Sequence, residues 1–150
     1  MDVFLVKMPL HLAVLGQNKA DGILGEYPYA HWYIGGHSLG GAVAALYAAE
    51  HADRLDGVIL LAAYSTKELE EDEKVVLVYG PEDTVLNREK YRENLKNLPQ
   101  GSVEHVIEGG NHAQFGSYGS QKGDGEARIP PEAQWEETVS VIMDSIPADP

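Results

Sequence analysis

Ser38 lies in the run Gly35-Gly36-His37-Ser38-Leu39-Gly40-Gly41, after the apolar residues Trp32, Tyr33 and Ile34 and before an alanine-rich stretch. A serine placed between glycines where a strand gives way to a helix is the pattern of a nucleophile elbow. Such a turn lifts the hydroxyl clear of the sheet and holds the backbone in a sparsely populated conformation. Glycines at its flanks remove side chains that would collide. Ala42, Ala44, Ala45, Ala48 and Ala49 give the following helix small side chains, so that it lies close to the sheet. The positive end of its dipole then stands behind Ser38.

A serine hydroxyl is a poor nucleophile at neutral pH. It needs a base, normally a neutral imidazole, and a carboxylate that fixes the imidazole tautomer. Two further segments offer these groups in the chain order serine, acid, histidine. Gly80-Pro81-Glu82-Asp83 follows one apolar run, and Gly109-Gly110-Asn111-His112 follows the last. Asp83 is the candidate acid, with Glu82 its nearest rival and a helix-capping role as the plainer reading of Asp83. His112 is the candidate base, and the backbone N–H of Leu39 is one candidate oxyanion donor. A base of this kind must be neutral, so activity is expected to fall on acidification through the ordinary histidine range near 6.5. His37 suits packing or support of the site. His11, His31, His51 and His105 read as surface or partly buried residues. No histidine has a convincing metal-ligand spacing with carboxylates, and acyl transfer of this type requires no metal or organic cofactor.

The elements that must position these groups follow from periodicity. Apolar runs at residues 3–7, 57–63 and 74–79, with alternation over 102–107, predict strands, and residues 31–34 lead into the elbow. The runs at 57–63 and 74–79 are continuous, as in strands buried on both faces of a parallel sheet. Helices are expected over 18–26, 39–51, 84–98 and 132–146, with Pro130 and Pro131 at the start of the last. Residues 108–129 lack periodicity and form a long loop, of a length that inside compact domains is usually functional or disordered. Strands alternating with helices predict an α/β fold with a mainly parallel sheet and helices on both faces. Consecutive parallel strands end on one sheet edge, so Ser38, Asp83 and His112 are expected to converge there.

Composition bounds the partners. The 150 residues suit one domain, 1–150. There is no cysteine, which excludes disulfides and a thiol nucleophile. A formal net charge of −13 argues against nucleic acid or an anionic membrane surface and favours small neutral substrates. The apolar start at residues 3–15 is interrupted by Lys7, Pro9 and His11 and is too short to span a bilayer, so a cytoplasmic protein is expected.

The elbow, the segment Tyr79-Gly80-Pro81-Glu82-Asp83 and above all Gly109-Gly110-Asn111-His112-Ala113-Gln114-Phe115-Gly116-Ser117-Tyr118-Gly119 resemble the bacterial α/β-hydrolase fold-5 family. Met8-Pro9-Leu10 and Gly123-Asp124-Gly125-Glu126-Ala127 are similar to it too. The resemblance covers the whole chain. It implies Ser38 as nucleophile, Asp83 as acid and His112 as base, in hydrolysis of carboxylic esters or related acyl compounds. Met8, Leu10, Leu12, Phe115 and Tyr118 flank the same sheet edge and are candidates for the substrate wall, with plain core the equal alternative for each.

Family members carry additional strands before the one matching residues 3–7, so the chain reads as an N-terminally truncated α/β hydrolase in which Leu39 supplies only half of the oxyanion hole. An unpaired strand at 3–7 would favour a homodimer. A thioesterase, perhydrolase or peptidase would use the same residues, and a weakly active or inactive binding scaffold is the alternative outside enzymes.

Overall fold

The computed structural model describes residues 1–7 and 19–146. Four strands, β1 (Tyr33–His37), β2 (Gly57–Leu61), β3 (Lys74–Tyr79) and β4 (Val103–Val106), form one sheet in sequential order. Every pairing is parallel. The register brings the carboxyl ends level: His37 pairs with Leu61, Leu61 with Val78, and Tyr79 with Val106. The segments after β1, β3 and β4, which carry the candidate residues, therefore leave from one edge, as expected for an α/β sheet that binds ligands at its carboxyl end.

Both faces of the sheet are covered. Val58, Leu60, Val75 and Leu77 pack with Ala44, Ala45, Tyr47 and Ala48 of α2 (Leu39–Glu50) and with Tyr91 of α3 (Arg88–Asn94). On the other face Val76 and Val78 join Ile107, with Ile59, Leu61 and Val141 of α4 (Pro131–Ser145) packed against them. Successive residues of a strand point to opposite faces, so β2, and β3 from Val75 onward, are apolar on both faces to serve both layers. The alanines of α2 act as anticipated: Ala45 and Ala48 are wholly buried against the sheet. Helix α1 (Ala20–Glu26) is tied to α2 through Asp21, which accepts from Tyr47 Oη at 2.7 Å.

Two expectations are corrected. Residues 3–7 form no strand. Their alternation half-buries Phe4 and Val6 and leaves Val3 and Leu5 exposed, but the segment is held by side chains, with the Phe4 ring 4.7 Å from Tyr27 and 5.8 Å from Trp32. Among the described residues the two edges of the sheet are thus β1 and β4. The helix expected over 84–98 begins only at Arg88, because Asn87 caps it by accepting the Lys90 N–H at 2.9 Å, and it tightens to a 3-10 turn at Leu95–Asn97. The loop at 108–129 contains one 3-10 turn, Ala113–Phe115. No helix among the described residues is long and apolar enough to cross a membrane.

Candidate active site

Ser38 joins β1 to α2 with φ 53° and ψ −123°. A non-glycine residue at positive φ costs on the order of 1–3 kcal/mol and persists only where its surroundings over-determine it. Here the Ser38 N–H donates to the Leu61 carbonyl at 2.9 Å and its carbonyl accepts from Ala42 at 3.1 Å. A Cβ on Gly36 would lie 2.5 Å from the Gly40 carbonyl carbon, and one on Gly41 would lie 2.5 Å from Ala63 Cβ. Gly40 itself has open space around it. The close approach that allows the elbow is therefore made by Gly36 and Gly41. Leu39, half-exposed, opens α2, and its N–H is among those a helix leaves without an internal acceptor.

Asp83 and His112 meet across the sheet edge. His112 Nδ1 is 2.8 Å from Asp83 Oδ2, and both side chains are buried. The other carboxylate oxygen, Oδ1, accepts the N–H groups of Val85 at 2.9 Å and Leu86 at 2.8 Å. Asp83 thus caps the turn after β3 with one oxygen and holds the histidine ring with the other. Burial alone would raise its pKa. The hydrogen bonds from His112, Leu86 and Val85, with the attraction of His112, outweigh that and hold the carboxyl below its ordinary value. An ionised carboxylate only accepts, so the proton of the neutral imidazole sits on Nδ1. Nε2 then presents a lone pair, and it is buried with no hydrogen-bond partner. Glu82, the rival acid, instead pairs with Arg128 at 3.0 Å.

His37 brings the elbow against the loop of the candidate base. Its ring lies 4.5 Å from that of His112 and 5.7 Å from those of Phe115 and Tyr118, and Tyr118 Oη is 3.3 Å from its Nδ1. Burial, then the nearby His112, push its pKa down to about 4, so the ring is neutral at pH 7. Phe115 and Tyr118 accordingly gather beside His37 at this end of the sheet. Met8, Leu10 and Leu12 lie outside the described residues.

Gln134, completely buried on α4, grips the residue before His112. It accepts the Asn111 N–H at 3.1 Å and donates to the Asn111 carbonyl at 2.9 Å. Its sequence context, one polar residue in an amphipathic helix, carries no sign of this. A recess of about 620 Å³ behind the same loop is lined by Asn111, Gln114, Asp124, Glu126 and Trp135 among others, with Ser38 outside it. Among the described residues no three His, Asp or Glu side chains converge closely enough to hold a metal ion.

Residues 1–136 match the model of the alpha/beta hydrolase family. No curated protein matches the chain. Among solved structures, that of a predicted CIB-like hydrolase from Thermoplasma acidophilum is similar in fold, with a TM-score of 0.61, 21% identity and 88% of this chain covered. This chain spans 60% of that protein. With a parallel sheet sandwiched by helices and a family match over most of its length, the chain belongs to the alpha/beta hydrolase family.

Proposed function

We propose that the chain carries the reacting groups of a serine hydrolase that cleaves carboxylic esters or related acyl compounds, the activity of the whole protein included. The observation that supports it most is the state of His112: its Nδ1–H is fixed by a buried carboxylate, its Nε2 is left without a partner, and its ring lies 4.5 Å from that of His37, the residue before the strained Ser38.

In this reading His112 Nε2 takes the Ser38 hydroxyl proton as Oγ bonds to the acyl carbon, and the carbonyl electrons move onto oxygen. The Leu39 N–H faces the developing oxyanion. When the carbon–alkoxide bond breaks, the imidazolium returns its proton to the departing alcohol, leaving an acyl-Ser38 ester. Water, deprotonated by the same imidazole, attacks that ester; the acid leaves and Ser38 recovers its proton. Asp83 stays ionised and stabilises the imidazolium. His37, Phe115 and Tyr118 form an aromatic wall beside the base, suited to small neutral substrates with an apolar portion.

A panel of activated esters, thioesters and anilides tests this. Alcohol release in a burst ahead of steady turnover, abolished in His112→Ala, is expected for esters. Turnover that survives His112→Ala, or no turnover of any acyl compound, would contradict it.

A further inference from the structure

The segment Gly123-Asp124-Gly125 has no part in the proposed chemistry, yet it lies between the two loops that carry it. Asp124 Oδ2 accepts the Ala113 N–H at 2.8 Å, and Oδ1 accepts the Gly125 N–H at 2.9 Å and, more weakly, the Thr84 N–H at 3.4 Å. Ala113 follows His112 directly and Thr84 follows Asp83 directly. The Thr84 hydroxyl adds a bond of 2.7 Å to the Gly123 carbonyl, and Asn111 Nδ2 one of 2.8 Å to the Gly125 carbonyl. Backbone contact closes the same seam: a Cβ on Gly125 would lie 2.0 Å from the Glu82 carbonyl oxygen.

We propose that Asp124 is a positioning residue that sets the separation of Asp83 and His112 by taking, on its two carboxylate oxygens, an N–H from each of their loops. The inference rests on the acid and base roles given to those two residues. A residue that only shaped its own turn would need the bond to Gly125 alone. The bonds to Ala113 and Thr84 instead join segments 11 and 40 residues away in the chain. A carboxylate suits the task because both oxygens accept; the isosteric amide of asparagine offers one acceptor and turns donors toward the N–H it replaces. In Asp124→Asn either Ala113 or the Gly125–Thr84 side loses its partner, and the pair it aligns loosens.

Two readouts are taken on the full chain. One is the rate of Ser38 labelling by a fluorophosphonate. The other is the downfield proton resonance of the His112 Nδ1–H, which reports the Asp83 hydrogen bond whether or not Ser38 reacts. Asp124→Asn is expected to slow labelling by about a hundredfold, the scale of an ångström-sized misplacement, and to shift or broaden the resonance while the far-ultraviolet spectrum stays native. Thr84→Val, which removes only the hydroxyl bond, is expected to do the same to a smaller degree, and Lys122→Ala in the same loop to do neither. Native labelling and an unchanged resonance in Asp124→Asn would overturn the proposal. So would effects seen only with loss of folded structure, alongside a Thr84→Val variant indistinguishable from the parent. If the parent chain does not label, the hydrolase reading falls, and the resonance alone decides for or against the role of Asp124.

Discussion

Gln134 and the backbone of Asn111 are joined by a reciprocal pair of hydrogen bonds, at 3.1 and 2.9 Å, in a fully buried setting. The grip fixes the approach to His112 from a helix on the far side of the loop. Gln134→Leu removes both partners at once. It leaves a buried N–H and a buried carbonyl unpaired, at about 1–3 kcal/mol each, so a loss of about 2–6 kcal/mol in urea denaturation is expected, with slower Ser38 labelling in the population that remains folded. A variant as stable as the parent would show that the pair is replaceable.

The glycines of the elbow differ in what they tolerate. A Cβ at position 41 would sit 2.5 Å from Ala63 Cβ and 2.7 Å from the Gly36 carbonyl oxygen. Gly41→Ala must push α2 off the sheet, and a loss of about 1–3 kcal/mol is expected. Gly40→Ala meets nothing within 4 Å and removes backbone freedom from a helical position, so it is expected to be neutral or stabilising by up to about 1 kcal/mol. Thermal denaturation of the two variants side by side reads this, and equal effects would refute the assignment of close approach to Gly41.

Asp83 and Glu82 are adjacent carboxylates with opposite surroundings. Asp83→Asn leaves His112 Nδ1 facing an amide, which admits the wrong tautomer and is expected to lower acylation on the order of 10⁴-fold, as loss of such an acid does. Glu82→Gln breaks only a pair whose Arg128 side chain is largely exposed, a contact worth at most about 1 kcal/mol, and acylation is expected to stay within about threefold of the parent. Comparable losses in both variants would contradict the proposed assignment of the acid to Asp83.

Stability should fall with acid in two stages. His37 has its pKa lowered to about 4 by burial and by the neighbouring His112, against about 6.5 in an unfolded chain. Between those values the unfolded state binds the extra proton, so stability present above pH 6.5 is lost as pH falls toward 4. Asp83, held below its ordinary value chiefly by His112 and two backbone N–H groups against the penalty of burial, adds a further loss below the normal carboxylate range. His37→Phe keeps a ring and removes the first stage. Its denaturation midpoint should decline less than the parent's from pH 7 to 4.5, and parallel curves would contradict the assignment.

The buried parts of this fold were legible because one physical demand dominates them. Residues 57–61 and 75–79 are apolar without interruption since each strand feeds two packed layers, and the glycines around Ser38 mark a turn that few other residues allow. Less was legible where tertiary partners compete with local pattern. Residues 84–87 read as helix, but the Asp83 carboxylate takes the N–H groups of Val85 and Leu86 and delays the helix to Arg88. Residues 3–7 alternate like a strand, yet among the described residues none pairs with them and Phe4 docks by its ring. That Asp83 meets His112 while Glu82 meets Arg128 depends on which loop each faces, and the bonds of Gln134 and Asp124 to backbone leave no trace in residue type.

The most direct test of the hydrolase proposal is stoichiometric labelling of the chain by a fluorophosphonate, with the adduct located by peptide mass and Ser38→Ala as control. Labelling confined to Ser38, absent from Ser38→Ala and strongly reduced in His112→Ala, is the expected result. A folded sample that fails to label, or that labels equally well in Ser38→Ala, would contradict the assignment of Ser38 as the nucleophile.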